Sequence, residues 1–476
     1  MPSALRIEDL PPPLTPFVVT IDDYGFTGEG FVRLEDGWLS IRHAMPGEKV
    51  RVALDEEQRG GRRRFATLLE VLEPHPQRRD PLCDKSAFCK GCQIRHLSLQ
   101  EEAAFKERTI KEVLLKFTDF TDDTLPPIIP IAPPGMTRSD GWRVRSALHY
   151  RKHDEHTFEL GLRSPGRDAL IPMNQCPALG EAARRLVEHV TQTLANLASK
   201  QALPPSPQHD DTTTQDTATL HTIRVAAPAH GRGFVELKLS EHEALPPQIF
   251  TLIEELDHIL PEHVSVFVDR KNISHECIRG PQTMRLSLAG LTLELNPQDW
   301  FHATLEPAEV LYEQVEQWLE WESGERFLDV GCGIGTLSLM AARAGLHATG
   351  IDAKRTSIQS ATHNAQRLGL GEHSEFIAGA WENALKKLWA QQRRFDVATI
   401  NPMREPLGER ALSYVNALGV ERIIYLGPSP ASTARDLGYL QSTGWTVQSL
   451  GGAMLHPATY HVMLVAQCRR TTNPAS

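Results

Sequence analysis

The chain has 476 residues, 41% of them hydrophobic and 23% charged, with a formal net charge of −10. This composition belongs to a water-soluble globular protein of about three domains, each long enough to bury a core. It excludes a membrane-spanning helix, because no apolar run approaches the ~20 residues that cross a bilayer.

The first 13 residues lack the charged and apolar regions of a signal peptide, so a cytoplasmic protein without a membrane partner is expected. They end in Pro11-Pro12-Pro13 and read as a loose leader. From Leu14 to about Glu73, short strands alternate with turns. Phe17 to Ile21, Phe31 to Leu34, Trp38 to Ile41, Lys49 to Leu54 and Arg64 to Leu72 predict five strands in about 60 residues, hence a small β-barrel. Arg59, Arg62, Arg63 and Arg64 cluster at one hairpin, as a phosphate-contacting patch or as a solvated loop. The negative total charge argues mildly against nucleic acid, but such contacts depend on local patches.

Cys83-x5-Cys89-x2-Cys92 follows, with Cys176 far downstream in Asn174-Gln175-Cys176-Pro177. Seven cysteines, four of them in this arrangement, do not form a disulfide framework. Four thiolates suit zinc or an iron–sulfur cluster, and spacing favours neither. Ser98 to Phe117 reads as a helix opened by a Ser98/Glu101 capping box. Arg143, Arg145, Arg151, Lys152, Arg163 and Arg167 are scattered over strands between 143 and 170. A helix is expected from Leu179 to Ala198. Residues 200–217, with Pro204-Pro205-Ser206-Pro207 and Thr212-Thr213-Thr214, read as a mobile polar insertion.

From Asn296 onward strands and helices alternate, which predicts an open, mostly parallel, doubly wound sheet. Its first strand runs into Phe327-Leu-Asp-Val-Gly-Cys-Gly-Ile-Gly-Thr336. Gly331, Gly333 and Gly335 predict a turn where the backbone approaches a ligand, and a helix follows. The next strand ends in Asp352, 17 residues past Gly335, where such folds place the acid that accepts from ribose hydroxyls. Together with Asp329 this predicts a nucleoside-type cofactor. The strand ends, Asp329, Asp352, Asn401 and the residues after Tyr425, are where the chemistry is expected.

These features closely resemble the bacterial RNA uracil-C5 methyltransferases, which act on tRNA and ribosomal RNA with S-adenosylmethionine. The resemblance covers nearly the whole chain. It implies an α/β protein with an N-terminal TRAM-type RNA-binding barrel at 14–75 and an α+β central iron–sulfur domain at 76–295. A class I, Rossmann-like methyltransferase domain is implied at 296–470. It implies a [4Fe–4S] cluster on Cys83, Cys89, Cys92 and Cys176, and RNA contacts at Arg62, Arg63 and Arg64. The adenosylmethionine site would comprise His302, Asp329, Gly331, Gly333, Gly335, Asp352 and Asn401. His302 stands where the family has glutamine, and Asp352 where glutamate is usual. RNA, not DNA, is the implied partner of a monomer.

The departures concern chemistry. C5 of uracil is a poor nucleophile until a cysteine thiolate adds to C6, and a base must then remove the C5 proton. The family's cysteine lies in a Tyr-Val-Ser-Cys-Asn-Pro stretch before Ala-Arg-Asp. Here that run is Tyr425-Leu426-Gly427-Pro428-Ser429-Pro430 before Ala434-Arg435-Asp436, so Pro428 occupies the nucleophile's place. Met463 replaces the glutamate base, and Asn401-Pro402-Met403-Arg404 replaces Asp-Pro-Pro-Arg. Cys277, Cys332 and Cys468 are the candidates for a relocated nucleophile. Asn401-Pro402 is similar to the Asn-Pro-Pro-aromatic motif of amino-group methyltransferases, without the aromatic. His461 has a counterpart in the family and reads as structural. The expectation is an RNA-binding protein of this family without uracil-C5 activity; the alternative is an RNA methyltransferase of altered chemistry.

Overall fold

In the computed structural model the described residues are 6–56, 61–80, 83–86, 88–89, 91–134, 136, 140–164, 168–207, 218–240, 245–270 and 273–471. Arg59, Arg167 and the Thr212–Thr214 run lie outside them.

The N-terminal unit is a six-stranded sheet in the spatial order Pro16–Thr20, Lys49–Leu54, Arg63–Glu73, Trp38–Ile41, Gly30–Arg33, Asp23–Tyr24. The extra strand, against five expected, is the two-residue Asp23–Tyr24, too short for a period-two signal. The ladder runs from edge to edge without closing on itself. Its core is Leu39, Ile41, Val50 and Val52, all fully buried. Ile7 and Leu10 pack against this core, and the Ile7 amide donates to Asp36 at 2.9 Å. The described part of the leader is therefore docked rather than loose.

The central unit is a sheet that runs from Leu170–Pro172 through Arg145–Lys152 and Leu220–Ala226 to Ile273–Arg279. Helices Glu181–Ser199 and Pro247–Ile259 supply the apolar layer beneath it. Pro204 to Ser206, expected in a mobile insertion, are pinned. Tyr150 donates to the Pro204 carbonyl at 2.9 Å, and the Lys152 amide donates to Ser206 Oγ at 2.8 Å. Prolines have no N–H to satisfy, so this segment can be buried through its carbonyls alone.

The C-terminal unit holds an eight-stranded sheet. Its order is Ser374–Ala378, His347–Asp352, Arg326–Val330, Val397–Ile400, Arg422–Gly427, Met463–Arg470, Trp445–Ala453 and Ile128–Ile131. The first five are mutually parallel, and Met463–Arg470 is antiparallel to both its neighbours. The chain reverses its winding direction between Arg326–Val330 and Val397–Ile400, the crevice position in such sheets. The last strand begins at Met463. The edge strand Ile128–Ile131 comes from the segment expected in the central domain, so the division at residue 295 does not hold for it.

Helix Leu99–Phe117 lies on this same unit, packed against helix Pro430–Ser442. Its capping box is half made. Ser98 Oγ accepts from the Glu101 amide at 3.1 Å, but the Glu101 carboxylate accepts from the Tyr24 hydroxyl at 3.1 Å. One turn on, Lys106 and Glu102 form a fully buried ion pair of 2.6 Å. Lys106 also donates to the His456 carbonyl, and both Glu102 oxygens accept from the Ala458 amide. The pair thereby clamps the loop that precedes the last strand.

Removing one partner leaves a buried charge uncompensated. Lys106→Met should therefore cost about 3–5 kcal/mol of unfolding free energy. The double variant Glu102→Gln/Lys106→Met should cost less than the single one. Urea titrations of both variants check this.

Candidate functional site

The three glycines after Arg326–Val330 do different work. All have positive φ, at 84°, 55° and 84° for Gly331, Gly333 and Gly335. A methyl group on Gly331 would strike the Asn401 carbonyl, and one on Gly335 the Phe376 ring, whereas one on Gly333 would meet nothing within 4 Å. Packing therefore demands the outer two glycines. Gly333 is the open one, where a ligand can lie against the backbone. Its amide donates to Asp352 Oδ2 at 3.0 Å, and the Lys354 amide donates to Oδ1 at 2.8 Å. The carboxylate is thus oriented beside the turn, with acceptor capacity to spare.

Asp329 has a different position from the one expected of a ligand-facing acid. Its side chain is buried, and it accepts from Ser338 Oγ at 2.7 Å, the Ser338 amide at 3.2 Å and Thr399 Oγ1 at 2.9 Å. Burial pushes its carboxyl up to about 6, with Asp352 adding to the rise and the hydroxyl donors opposing it. His302 is also buried and shares a 3.2 Å hydrogen bond with the Tyr312 hydroxyl, while its Nδ1 has no partner among the described residues. Burial pushes its imidazole down to about 3. Asn401 ends the strand Val397–Ile400, and its amide donates to the Val330 carbonyl at 2.8 Å.

Cys83, Cys89, Cys92 and Cys176 line one enclosed cavity of about 20 Å³, with Met173 and Leu162 in its walls. No group of three or more His, Cys, Asp or Glu side chains among the described residues converges on a single-ion site. The cysteines surround a space without meeting at a point. The Gly91 amide donates to Cys89 Sγ at 3.3 Å. Burial pushes the Cys92 thiol up to about 11, with Arg143 and Arg95 pulling the other way.

A cleft of about 620 Å³ opens beside this cavity, between the central sheet and the C-terminal unit. Arg143, Arg145, Arg163, Arg224 and Arg404 line it with Trp142, His456 and His461. No described residue lining it carries a carboxylate or a thiol. Burial, with help from neighbouring cations, pushes both histidines down to about 4, so they are neutral at pH 7. The Arg404 loop is held from behind. The Leu407 and Gly408 amides and the Tyr425 hydroxyl donate to the buried Asp436 carboxylate, and Ser432 Oγ donates to the Arg404 carbonyl at 2.9 Å.

Pro428 follows Arg422–Gly427 at this end of the sheet, and Met463 is buried in the apolar cluster of Leu426, Ala453 and Leu455. The remaining cysteines are elsewhere. Cys468 is fully buried in the last strand, and Cys332 is buried in the glycine turn with its thiol well above the ordinary range. Cys277 Sγ faces the carbonyls of Arg279 and Gly280 in the central unit. In the N-terminal unit Arg63 is paired with Glu29 and stacked on Phe65, Arg64 donates to the Gly61 carbonyl, and Arg62 is exposed.

Sequence reasoning missed Trp142, Arg224 and His456 as cleft residues. Arg143 and Arg145 carried a signal, since residues two apart on extended chain share a face. Arg151 and Lys152 from the same scatter are paired with Asp168 and Glu155 instead.

Comparison with known proteins adds the following. A family model described as a methyltransferase domain matches residues 321–433. The chain is 25% identical over 475 residues to the 23S rRNA (uracil(1939)-C(5))-methyltransferase RlmD of Shewanella denitrificans, covering 97% of each chain. It is also 25% identical over 461 residues to an uncharacterized RNA methyltransferase of Halalkalibacterium halodurans, covering 94% of this chain and 95% of that one. The crystal structure of the Pyrococcus abyssi tRNA (uracil-54, C5)-methyltransferase with S-adenosyl-L-homocysteine superposes with a TM-score of 0.71 at 19% identity. That match covers 95% of this chain and 100% of that chain. The fold is therefore that of a multidomain α/β protein with a C-terminal class I methyltransferase domain.

Asp329 supplies a test of the buried site. Unfolding returns its carboxyl from about 6 to its ordinary value of 3.8. Between these values the folded state holds the proton more tightly, so this group's contribution to stability falls as pH rises from about 4 to about 6 and is level above. Asp329→Asn should remove that fall. The wild-type-minus-variant unfolding free energy should drop by up to ~3 kcal/mol between pH 4 and pH 7, as read from urea titrations across that range.

Proposed function

We propose that this protein binds S-adenosylmethionine and RNA as a member of the RNA uracil-C5 methyltransferase group, and that it does not methylate uracil C5 by the cysteine-adduct route. The observation that carries this reading is the cleft: it is lined by arginines, aromatic rings and neutral histidines, with neither a thiol nor a carboxylate among its described residues. Binding a polyanion needs the first set. The adduct chemistry needs a thiolate for C6 and a base for the C5 proton. Proline and methionine can supply neither. Nor does Cys277, Cys332 or Cys468 line the cleft.

The open face of Gly333 and the oriented Asp352 carboxylate support the cofactor assignment. Gly333 lets the backbone approach the cofactor, and Asp352 would accept from its ribose hydroxyls. Asp329 would act by fixing the turn through Ser338 and Thr399. His302 would border the site through Tyr312. Length and similarity to rRNA- and tRNA-modifying enzymes over nearly the whole chain support RNA as the partner, with Arg62 and Arg64 as outlying contacts.

The four cysteines line one small, largely apolar cavity, a donor set that suits a cluster. We propose a [4Fe–4S] group there, which would tie the Cys83–Cys92 loop to Cys176 and so brace one wall of the cleft.

Three measurements test these statements. With 5-fluorouracil-containing RNA no covalent protein–RNA adduct should survive denaturing electrophoresis; a stable adduct would reveal a nucleophile and overturn the reading. Tritiated methyl transfer to total tRNA and rRNA should stay at background, and incorporation that Asp352→Ala abolishes would instead establish a methyltransferase of altered chemistry. Anaerobically purified protein should be brown with about four irons, whereas colourless, zinc-loaded protein would refute the cluster.

A further inference from the structure

The cleft contains more positive charge than the protein itself compensates. Arg145 lies with its guanidinium 4.6 Å from the centre of the Phe301 ring and 5.8 Å from that of Trp300. Arg143 lies over the Trp142 ring at 4.8 Å. Neither guanidinium has a carboxylate partner among the described residues. The third member, Arg224, is fixed by the fully buried Glu236 and by the Pro297 carbonyl at 2.8 Å. Both Glu236 oxygens are engaged, since the other one bonds His275. Burial, together with Arg224 and Arg143, pushes the Arg145 guanidinium down to about 10.

Two uncharged donors in the same walls are also unpartnered. Trp142 is 8% exposed, and its indole N–H has no acceptor among the described residues; Ser146 Oγ is buried without a partner among them. Desolvating cations side by side, with idle donors around them, costs free energy that folding alone does not return. The arrangement is complementary to a bound anion.

We infer that Arg143, Arg145 and Arg224 form a phosphodiester-binding subsite for single-stranded RNA, placed against the Trp300 and Phe301 rings. This rests on the RNA-binding reading above. Guanidinium forks match phosphate oxygens. The volume of about 620 Å³ exceeds what a lone phosphate fills and suits a nucleotide with its base among rings. Gln93 lines this cleft and also a second one of about 380 Å³ that runs along the N-terminal sheet past Arg63 and Phe65. A strand entering from that side has a path, which a free mononucleotide does not need. Within the cleft, Arg224 would orient the backbone through its tie to Pro297, and Arg145 would carry the contact beside Phe301.

The test is a salt titration of fluorescence anisotropy with a short unstructured single-stranded RNA, run on the full-length protein. Arg145→Gln should weaken binding ~10-fold at moderate salt and lower the slope of log K against log salt by about 0.7, one phosphate contact on a single strand. Arg145→Lys should keep the slope, which separates lost charge from lost packing on Phe301. Replacing phosphodiesters with neutral methylphosphonates one linkage at a time should identify a linkage whose loss weakens wild type but not Arg145→Gln. Equal slopes for wild type and Arg145→Gln would overturn the subsite while leaving RNA binding intact. Uridine monophosphate bound in an Arg145-dependent way, with no RNA binding at all, would overturn the RNA reading and the strand assignment together.

Discussion

The arrangement of the three units depends on one buried contact, the Glu102–Lys106 pair under the loop from His456 to His461. A charge pair removed from water is costly unless every remaining donor and acceptor is used. Here Lys106 reaches the His456 carbonyl and Glu102 takes the Ala458 amide. The Ala458 carbonyl accepts from the Ile94 amide at 3.1 Å, two residues past Cys92. Around this point Tyr24 and Met45 from the N-terminal sheet pack with Ile94, Leu97, Phe105 and Tyr460. One small knot thus joins the N-terminal sheet, the cysteine loop, helix Leu99–Phe117 and the strand that carries Met463. The cleft walls are set by it, because His456 and His461 lie on one side and Gln93 and Arg143 on the other.

The same geometry explains why the central and C-terminal units share material. Helix Leu99–Phe117 must lie on the C-terminal sheet for Glu102 to reach Ala458. The chain leaving that helix then supplies the edge strand Ile128–Ile131 beside Trp445–Ala453. A domain drawn by chain position cuts through this contact. A domain drawn by packing assigns 99–131 to the C-terminal unit.

What was legible in the sequence follows from range. The glycine turn, Asp352, the cysteine loop and the helix after Ser98 are local, and their signals are backbone conformation, spacing and capping. Most strands were readable from alternation, with ends shifted by a few residues. Ile128–Ile131 carried a sign that passed unread: Pro130 is tolerated in a strand only where no ladder bond is needed, as at a sheet edge. The Lys106–His456 contact spans 350 positions, and no local pattern announces it. Nor could the roles of Asp329 and Gly331 be separated from those of Gly333 and Asp352 by motif alone. The first two are committed to packing and buried hydrogen bonds, and only their surroundings reveal it.

The cleft is chemically lopsided, and this decides what it can do. One wall carries Arg143 and Arg145, whose guanidinium groups have no carboxylate partner among the described residues. At the strand ends of the C-terminal sheet, Pro428 and Pro430 lack N–H groups, and Met463 is buried in the apolar cluster that also holds Leu426, Ala453 and Leu455. On the reading proposed above, binding and reaction make separable demands on this fold: the arginine wall and its stacking rings would serve the first, and the second would need a thiolate and a base that proline and methionine do not supply.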